Sequence, residues 1–202
     1  MKLLQSCSPN FLKFYDWSQD YLKEHGKTCL VSNTKSIKSG NSKCAGWCDG
    51  EQIKVAFKNP LFEQTYVHEF SHMQQVVENC QTWQDYDWSF WEDLDKKKIT
   101  LDTWKSILSI IALEHDCESR SLQHSKKWKM FDNKEYAKKA NLYLYYYQYL
   151  FVRGKWITST GIYKPYLVDL MKDKLVNLKE LDRIDMSMMR IYDHFLFKKG
   201  GK

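Results

Sequence analysis

Apolar residues after position 60 recur with the spacing of an α-helix that is buried on one side. The segment LFEQTYVHEFSHMQQVVENC follows Asn59-Pro60, and proline is favoured near the first turn of a helix. His68 and His72 fall on a second face of this helix, one turn apart. We therefore predict a helix that lies between two layers and presents both imidazoles on the same side. Its buried stripe contains Phe62, Tyr66, Phe70, Met73, Val77 and Cys80.

A second amphipathic helix is predicted in the segment KSILSIIALEHDCESRSLQ, with a start at Thr100 or Asp102. Glu114 and Glu118 lie in the middle of its apolar face. Two carboxylates on a buried face cost free energy unless they are paired or bind a metal ion. This conflict between polarity and expected burial is typical of a functional site. The apolar residues of the same face are Ile107, Ile110, Ile111, Cys117 and Leu122.

The strand signals are confined to the first third of the chain. Thr28–Ser32 has the composition of a short strand. Two further strands, at 43–48 and 52–57, flank Asp49-Gly50, which is a favoured hairpin turn. Helices are predicted elsewhere, at residues 10–24, from Asp132, from Lys164-Pro165 and at 181–197.

These elements predict an α+β fold that is mainly helical, with a small three-stranded sheet packed on the helix that contains His68 and His72. At 202 residues the chain has the length of one domain, residues 1–202. The sheet and the histidine helix occupy about 1–80. The helix with the two acids and a helical half occupy about 100–202, and an aromatic, acidic connection from Gln81 to Lys98 is expected to cover part of the cleft between them.

The residues His68-Glu69-Phe70-Ser71-His72 match the pattern H-E-x-x-H, which has a specific chemistry on a helix. Both imidazoles can reach one metal ion, and Glu69 lies beside that ion, roughly 100° around the helix. There its carboxylate can take a proton from a metal-bound water. Catalytic zinc usually has three protein ligands, so the third must come from another segment. Glu114 and Glu118 are the best candidates, and His115 is a weaker one.

H-E-x-x-H followed about forty residues later by E-x-x-C-E resembles the gluzincin group of zinc metallopeptidases, which have the zincin fold. The resemblance implies that Glu114 is the third zinc ligand and that Glu118 supports a ligand histidine. Because Glu118 stands where the group more often has Asp, the two roles could be exchanged. The segment KCAGWCDGEQIKVAFKNP also resembles small uncharacterised metallopeptidase-like proteins of phages and large viruses, over about residues 43–122.

The resemblance implies a zinc-dependent peptidase that acts on peptides or proteins, with Zn²⁺ as cofactor and Glu69 as the general base. Zincins often stabilise the oxyanion with Tyr or His, and the candidates are Tyr143, Tyr163 and Tyr166. Zincins also bind the substrate backbone along a strand edge, so the segment 53–57 or its hairpin partner could supply that edge. Two alternatives stay open: a catalytically inactive zincin-fold binding protein, and a protease that acts on proteins bound to nucleic acid.

Charge is distributed unevenly around a formal net charge of +6. Residues 59–95 contain eight acids and no Lys or Arg, which favours cations and basic substrates near the histidine helix. Residues 123–202 contain seventeen basic residues and eight acids. This excess favours solvated helix faces over a nucleic-acid surface, and no nucleic-acid-binding motif is present.

The N-terminal segment MKLLQSCSPNFLKF lacks the apolar core and the cleavage site of a signal peptide. The longest apolar runs, 107–113 and 142–152, are shorter than the roughly 20 residues that span a bilayer. We therefore expect a cytoplasmic protein without a membrane segment, located in the host cytoplasm if it is viral. In that compartment the six cysteines are expected to be free thiols. The oligomeric state is not indicated.

Overall fold

The structure is a computed structural model that describes residues 2–39, 42–87, 89–96, 100–154 and 162–197. Lys98, the predicted end of the aromatic connection, lies outside the described residues. Strands β1 to β5 cover Thr28–Ser32, Ile37–Ser39, Ser42–Cys44, Gly46–Cys48 and Gln52–Ala56. Helices α1 to α8 cover Pro9–Glu24, Phe62–Val77, Gln81–Gln84, Ser89–Asp95, Leu101–Trp128, Asn133–Arg153, Pro165–Val168 and Met186–Tyr192. Two 3₁₀ turns cover Lys2–Ser6 and Leu178–Leu181, and a π-helical turn, Asp193–Phe197, continues α8.

The described residues are mainly helical with a small three-stranded sheet, as predicted. The strand order in this main sheet is β1-β5-β4. β1 pairs in parallel with β5, and β4 pairs antiparallel with the other side of β5. The predicted hairpin turn at Asp49-Gly50 is confirmed. The Asp49 carboxylate accepts hydrogen bonds from the backbone N–H groups of Glu51 and Gln52, and Gly50 has a φ of +86°.

The predicted strand at 43–48 is divided at Ala45. Its first part, β3, pairs antiparallel with β2 in a separate two-stranded sheet, and only its second part, β4, pairs with β5. The β2 segment has one apolar residue, Ile37, among polar neighbours, so it lacks the alternation that predicts a strand. β4 therefore forms one edge of the main sheet, whereas β5 is hydrogen-bonded on both sides.

The first hydrophobic core lies between α1, the main sheet and α2. The predicted stripe of α2 is buried here, and Phe70 and Met73 are fully inaccessible to solvent. Ile53 and Val55 of β5 pack in the same core. α1 is capped by Ser8, whose hydroxyl accepts a hydrogen bond from the Phe11 N–H. α2 ends before the predicted Cys80 because Asn79 takes a left-handed conformation, with a φ of +49°.

α5 separates the first core from a second one. It packs on α2 on one side and on α6 on the other. The second core consists of α5, α6 and the C-terminal segments, with Ile110, Leu144, Tyr146 and Tyr192 among its buried residues. The start of α5 is capped by Thr100, one of the two predicted positions. The face with the two acids therefore lies at the boundary between the two cores.

Two buried amides of α6 hold the irregular segment that follows α7. Asn141 donates to the carbonyls of Lys172 and Lys174 and accepts from the Val176 N–H. Two turns further along α6, Gln148 donates to the carbonyls of Leu181 and Arg183. It also accepts a hydrogen bond from the backbone N–H of Asp185. These bonds replace the backbone pairing that a segment without regular structure lacks.

The last predicted helix, 181–197, is interrupted. Leu178–Leu181 forms a 3₁₀ turn, and α8 begins only at Met186. The Asp185 carboxylate accepts from the N–H groups of Ser187 and Met188 and so starts a new helix. Among the described residues, no helix combines the length and the apolar composition needed to cross a bilayer. All six cysteines are described and none forms a disulfide, as predicted.

We expect Asn141→Leu to lower the free energy of unfolding by about 3–5 kcal/mol, because it leaves two carbonyls and one N–H without partners in a buried place. Urea unfolding followed by circular dichroism measures the change. Gln123→Leu, on the exposed surface of α5, is the matched control and should change stability little. Equal effects of the two substitutions would show that the amide does not hold the segment.

Candidate metal centre

α2 places the two histidines of the H-E-x-x-H pattern side by side. The ring centroids of His68 and His72 are 4.7 Å apart, and their planes are nearly perpendicular. The side chains retain only 17% and 10% of their exposure. Since the opposite stripe of α2 fills the first core, the histidine face must turn towards α5.

α5 brings Glu114 to both histidines. Its Oε2 atom lies 3.4 Å from Nε2 of His68 and 3.5 Å from Nε2 of His72. The helices approach closely because two small residues, Ser71 and Ser121, face each other with their hydroxyl oxygens 2.9 Å apart. The structure thus brings together the two segments that the sequence singled out separately.

The second ring nitrogens of the two histidines also have partners. Nδ1 of His68 lies 3.1 Å from Oε1 of Glu118, and Nδ1 of His72 lies 2.8 Å from Oε1 of Gln75. Gln75 is itself fixed, since its amide donates to the Leu113 carbonyl and to the Asp116 carboxylate. These contacts orient both rings with Nε2 towards Glu114, in the manner of the outer partners that orient metal-ligating histidines.

Tyr147 of α6 fixes the third side chain. Its hydroxyl donates to Oε1 of Glu114 at 2.9 Å, which leaves Oε2 directed at the two histidines. The hydroxyl of Tyr143, one turn earlier, lies 3.0 Å from that of Tyr147. The Tyr147 hydroxyl, which contacts both the Glu114 carboxylate and the Tyr143 oxygen, thus connects Tyr143 to the third side chain.

The two separations between Glu114 and the histidines have the length expected at a tetrahedral metal ion. For zinc, ligand distances of about 2.0–2.2 Å place neighbouring ligand atoms roughly 3.3–3.5 Å apart, which matches the separations of Glu114 Oε2 from both Nε2 atoms. These separations are longer than good N–H···O hydrogen bonds. Oε2 of Glu114 is buried and has no hydrogen-bond partner among the described residues. A buried carboxylate oxygen without a donor is costly, and a cation in contact with it would remove that cost.

The charges of the cluster favour a cation at the same place. Burial lowers the pKa of His68, but Glu118 and Glu114 outweigh burial and raise this pKa to about 10. Burial likewise opposes the ionisation of Glu114, but His72 and His68 dominate and hold its pKa at about 2. Both directions have one cause. The buried carboxylates stabilise positive charge at the histidine nitrogens, which is the charge that a divalent ion brings.

Cys117 is a rival ligand. One ligand atom from each of His68, His72 and Cys117 can be chosen so that all three lie within 4.8 Å of one another. The Cys117 sulfur, however, lies 3.5 Å from Nδ1 of His68, on the side of Glu118, and it donates to the His68 carbonyl at 3.2 Å. Burial also raises the pKa of this thiol well above its ordinary range. These contacts favour Glu114 as the third ligand and leave Cys117 as an alternative.

His115, the weaker candidate from the sequence, points elsewhere. Its Nε2 atom lies 2.7 Å from the carbonyl oxygen of Val176, so the ring is engaged with the segment held by Asn141. Gln75 and Tyr147 contact the candidate ligands, and neither was predicted from the sequence. Gln75 lies one turn beyond His72 on the same helix and could have been found from that spacing. Tyr147 lies in a run of similar tyrosines in which no single residue stands out.

Glu69 lies beside the three candidate ligands and lines a cavity of about 350 Å³. Its side chain is almost fully buried, and burial raises the pKa of this carboxyl above its ordinary value. The backbone of β4 packs directly on it, since a Cβ atom added at Gly46 would lie 2.6 Å from Oε1 of Glu69. Tyr143 and Tyr163 line the same cavity. The arrangement provides a base of raised pKa next to a candidate cation site and open space for a ligand.

Of the remaining residues expected near the site, Trp83 lies next to it and Tyr166 does not. Tyr166 is exposed, and its ring packs against Phe195, 4.5 Å between centroids. Trp83, in the aromatic connection, lies next to His72 with ring centroids 6.4 Å apart. The connection thus covers one side of the histidine pair, at least through α3. Tyr166 does not reach the cavity.

A comparison with protein-family models, with curated proteins and with solved structures finds no match for this chain. The chemistry of the chain is therefore inferred from the geometry of the site itself.

We expect the wild-type protein to bind one zinc ion per chain, and His72→Ala and Glu114→Ala to lose it, because each removes an atom from the set of three. Glu118→Gln should weaken zinc binding by about 10–100-fold, the effect typical of an outer partner. Equilibrium dialysis with metal analysis measures all variants. Cys117→Ser is the decisive comparison: zinc retained by Glu114→Ala but lost by Cys117→Ser would assign the third position to sulfur.

Proposed function

We propose that this chain is a zinc-dependent peptidase that hydrolyses peptide bonds, with a site of the gluzincin type in a zincin-like fold. The observation that supports the proposal most is the position of Glu114 Oε2. This buried atom has no hydrogen-bond donor among the described residues and lies 3.4–3.5 Å from Nε2 of His68 and His72. Glu69, the residue expected to act as base, lies beside these three atoms and lines the cavity. The alternative ligand set in the described residues, His68, His72 and Cys117, contains the same two histidines.

His68, His72 and Glu114 would hold the ion, and Glu118 and Gln75 would fix the orientation of the two rings. When bound there, zinc supplies a Lewis acid for the substrate carbonyl and a water molecule of lowered pKa. A hydrolytic site of this kind needs a base within reach of the attacking water. The burial that raises the pKa of Glu69 makes its carboxylate a better proton acceptor. The same carboxyl can then deliver the proton to the leaving amine.

Tyr163 is the best candidate for stabilising the oxyanion. It lines the cavity, and its hydroxyl has no hydrogen-bond partner within the described parts of the chain. Burial raises its pKa well above the ordinary value, so the hydroxyl keeps its proton and can donate it. Tyr143 also lines the cavity, and its hydroxyl oxygen accepts a hydrogen bond from Tyr147. Its own proton is not used in that bond, so Tyr143 is the second candidate for a donor aimed at developing charge.

The substrate backbone is expected to lie along β4. The segment 53–57, the other candidate for the strand edge, belongs largely to β5, which is hydrogen-bonded to β1 and β4 and has no free edge. β4 is an edge strand, and its residue Gly46 lies against Glu69 and lines the cavity. An extended peptide added to this edge would pass directly in front of the base.

We expect Glu69→Gln to retain its zinc but to lose hydrolysis by at least about 100-fold, because the amide cannot accept the proton. Fluorescein-labelled casein and a mixed peptide library, analysed by mass spectrometry, provide the assay. Glu51→Gln, an exposed acid paired with Lys27, is the control and should hydrolyse like the wild type. Wild-type turnover by Glu69→Gln would refute this mechanism. Zinc binding without hydrolysis by the wild type would favour the alternative of a catalytically inactive binding protein.

We expect Tyr163→Phe to lower kcat by about 100-fold with an unchanged zinc content, since it removes one donor to the oxyanion. Tyr166→Phe removes the same hydroxyl at an exposed position and should leave kcat unchanged. Steady-state kinetics on one cleaved peptide compare these variants with Tyr143→Phe. A large loss in Tyr143→Phe together with normal turnover in Tyr163→Phe would show that the donor is the other tyrosine.

A further inference from the structure

The cavity in front of Glu69 has charges that the linear sequence does not predict. Its lining includes Lys35, Lys43 and Lys139, which come from outside the acidic stretch at 59–95. Lys35 and Lys43 are exposed, and Lys139 is largely buried, with 19% of its side chain accessible. The acidic residues of the lining are Glu69 and Glu118, and both are buried at the metal end. An entering ligand therefore meets lysines first.

The lysines of the lining form few ion pairs with acidic side chains of the protein. Within the described residues no ion pair involves Lys35 or Lys43. Lys139 lies 3.3 Å from Glu135, which is one turn earlier on α6 and half exposed. A pair of this kind on a helix surface is weak. Glu118 contacts His68 through Oε1, and within the described residues it forms no ion pair with a lysine of the lining.

The beginning of α2 adds to this positive potential. The N-cap Leu61 and, in the first turn of this 16-residue helix, Gln64 and Thr65 line the same cavity. Leu61 offers no side-chain hydrogen bond to the first turn, and Asn59 accepts only from the N–H groups of Leu61 and Phe62. The acid of the first turn, Glu63, is turned away, because it accepts hydrogen bonds from the backbone and hydroxyl of Ser8. A helix N-terminus without an acidic cap favours an anion.

From the lysines and the helix N-terminus together, we propose that the cavity binds a carboxylate of the substrate, so that the enzyme selects acidic peptides. The carboxylate would lie between Lys35, Lys43 and the first turn of α2, with Lys139 on the α6 side of the cavity. Two sources of this group are compatible with the site, an Asp or Glu side chain near the cleaved bond and the C-terminal carboxylate of the peptide. This proposal names a substrate class for the proposed peptidase and rests on that function.

Binding to the zinc-loaded Glu69→Gln protein tests the proposal without hydrolysis. The probes are short, dye-labelled, C-terminally amidated peptides that carry Glu, Gln or Lys at successive central positions, together with the Gln peptides as free acids. Fluorescence anisotropy gives the dissociation constants. We expect one Glu peptide to bind roughly tenfold more tightly than its Gln counterpart, and this preference to weaken at high salt. If only the free-acid peptides gain affinity, the C-terminal carboxylate is the source.

Lysine variants in the same background connect the preference to the cavity. Lys35→Gln combined with Lys43→Gln should abolish the preference, and Lys139→Gln should reduce it. Lys13→Gln, on the exposed surface of α1 and outside the lining, should retain it. Equal binding of acidic and neutral peptides, no binding of the acidic ones, or a preference that persists without the lysines would overturn the proposal.

Hydrolysis by the wild type separates this proposal from the proposed function. Cleavage of the library without any preference for acidic peptides would refute the carboxylate site and leave the peptidase intact. A lysine-dependent preference in binding, with no cleavage of any peptide by the wild type, would refute the peptidase and leave the carboxylate site intact.

Discussion

The close crossing of α2 and α5 is the contact on which the candidate metal centre depends. Ser71 and Ser121 face each other at this crossing and are fully buried, so the two helix backbones can approach closely. Two turns before Ser121 on α5, the same approach places Glu114 next to the two histidines. A larger side chain at either serine would separate the helices and with them the three donor atoms. The position of α5 between two cores holds this crossing rigidly from both sides.

The site also shows why its polar residues tolerate burial. Glu114, Glu118 and the two histidines lie at the boundary of two hydrophobic cores, where unpaired charges are costly. Each imidazole has a partner on Nδ1, and Tyr147 satisfies one oxygen of Glu114. The other oxygen is left for a cation. Removing one member of such a network costs more than the energy of its own contact, because its partners remain buried.

Periodicity predicted the parts of the structure that depend on local patterns. The helix of the H-E-x-x-H residues, the acid-bearing helix and the turn at Asp49-Gly50 follow from the spacing of apolar residues and from turn chemistry. The acids at 114 and 118 marked the second helix because charge on an apolar face conflicts with burial. Their roles differ in the structure through contacts with opposite nitrogens of His68, a difference that helical spacing does not determine.

Features that depend on distant segments were not predictable in the same way. The division of strand 43–48 follows from pairing of β3 with the polar β2 segment, and the basic lining of the cavity combines lysines from three parts of the chain. The contact of Tyr147 with Glu114 depends on how α6 packs on α5. The excess of acids in residues 59–95 predicted acidic surroundings for α2, but the lysines that line the cavity come from other segments of the chain.

X-ray absorption at the zinc edge of the zinc-loaded protein would identify the ligand atoms themselves. We expect two imidazole nitrogens and carboxylate oxygen at about 2.0–2.2 Å, without a sulfur neighbour. A sulfur neighbour at about 2.3 Å would show that Cys117 occupies the third position, and zinc without imidazole ligands would contradict the site altogether.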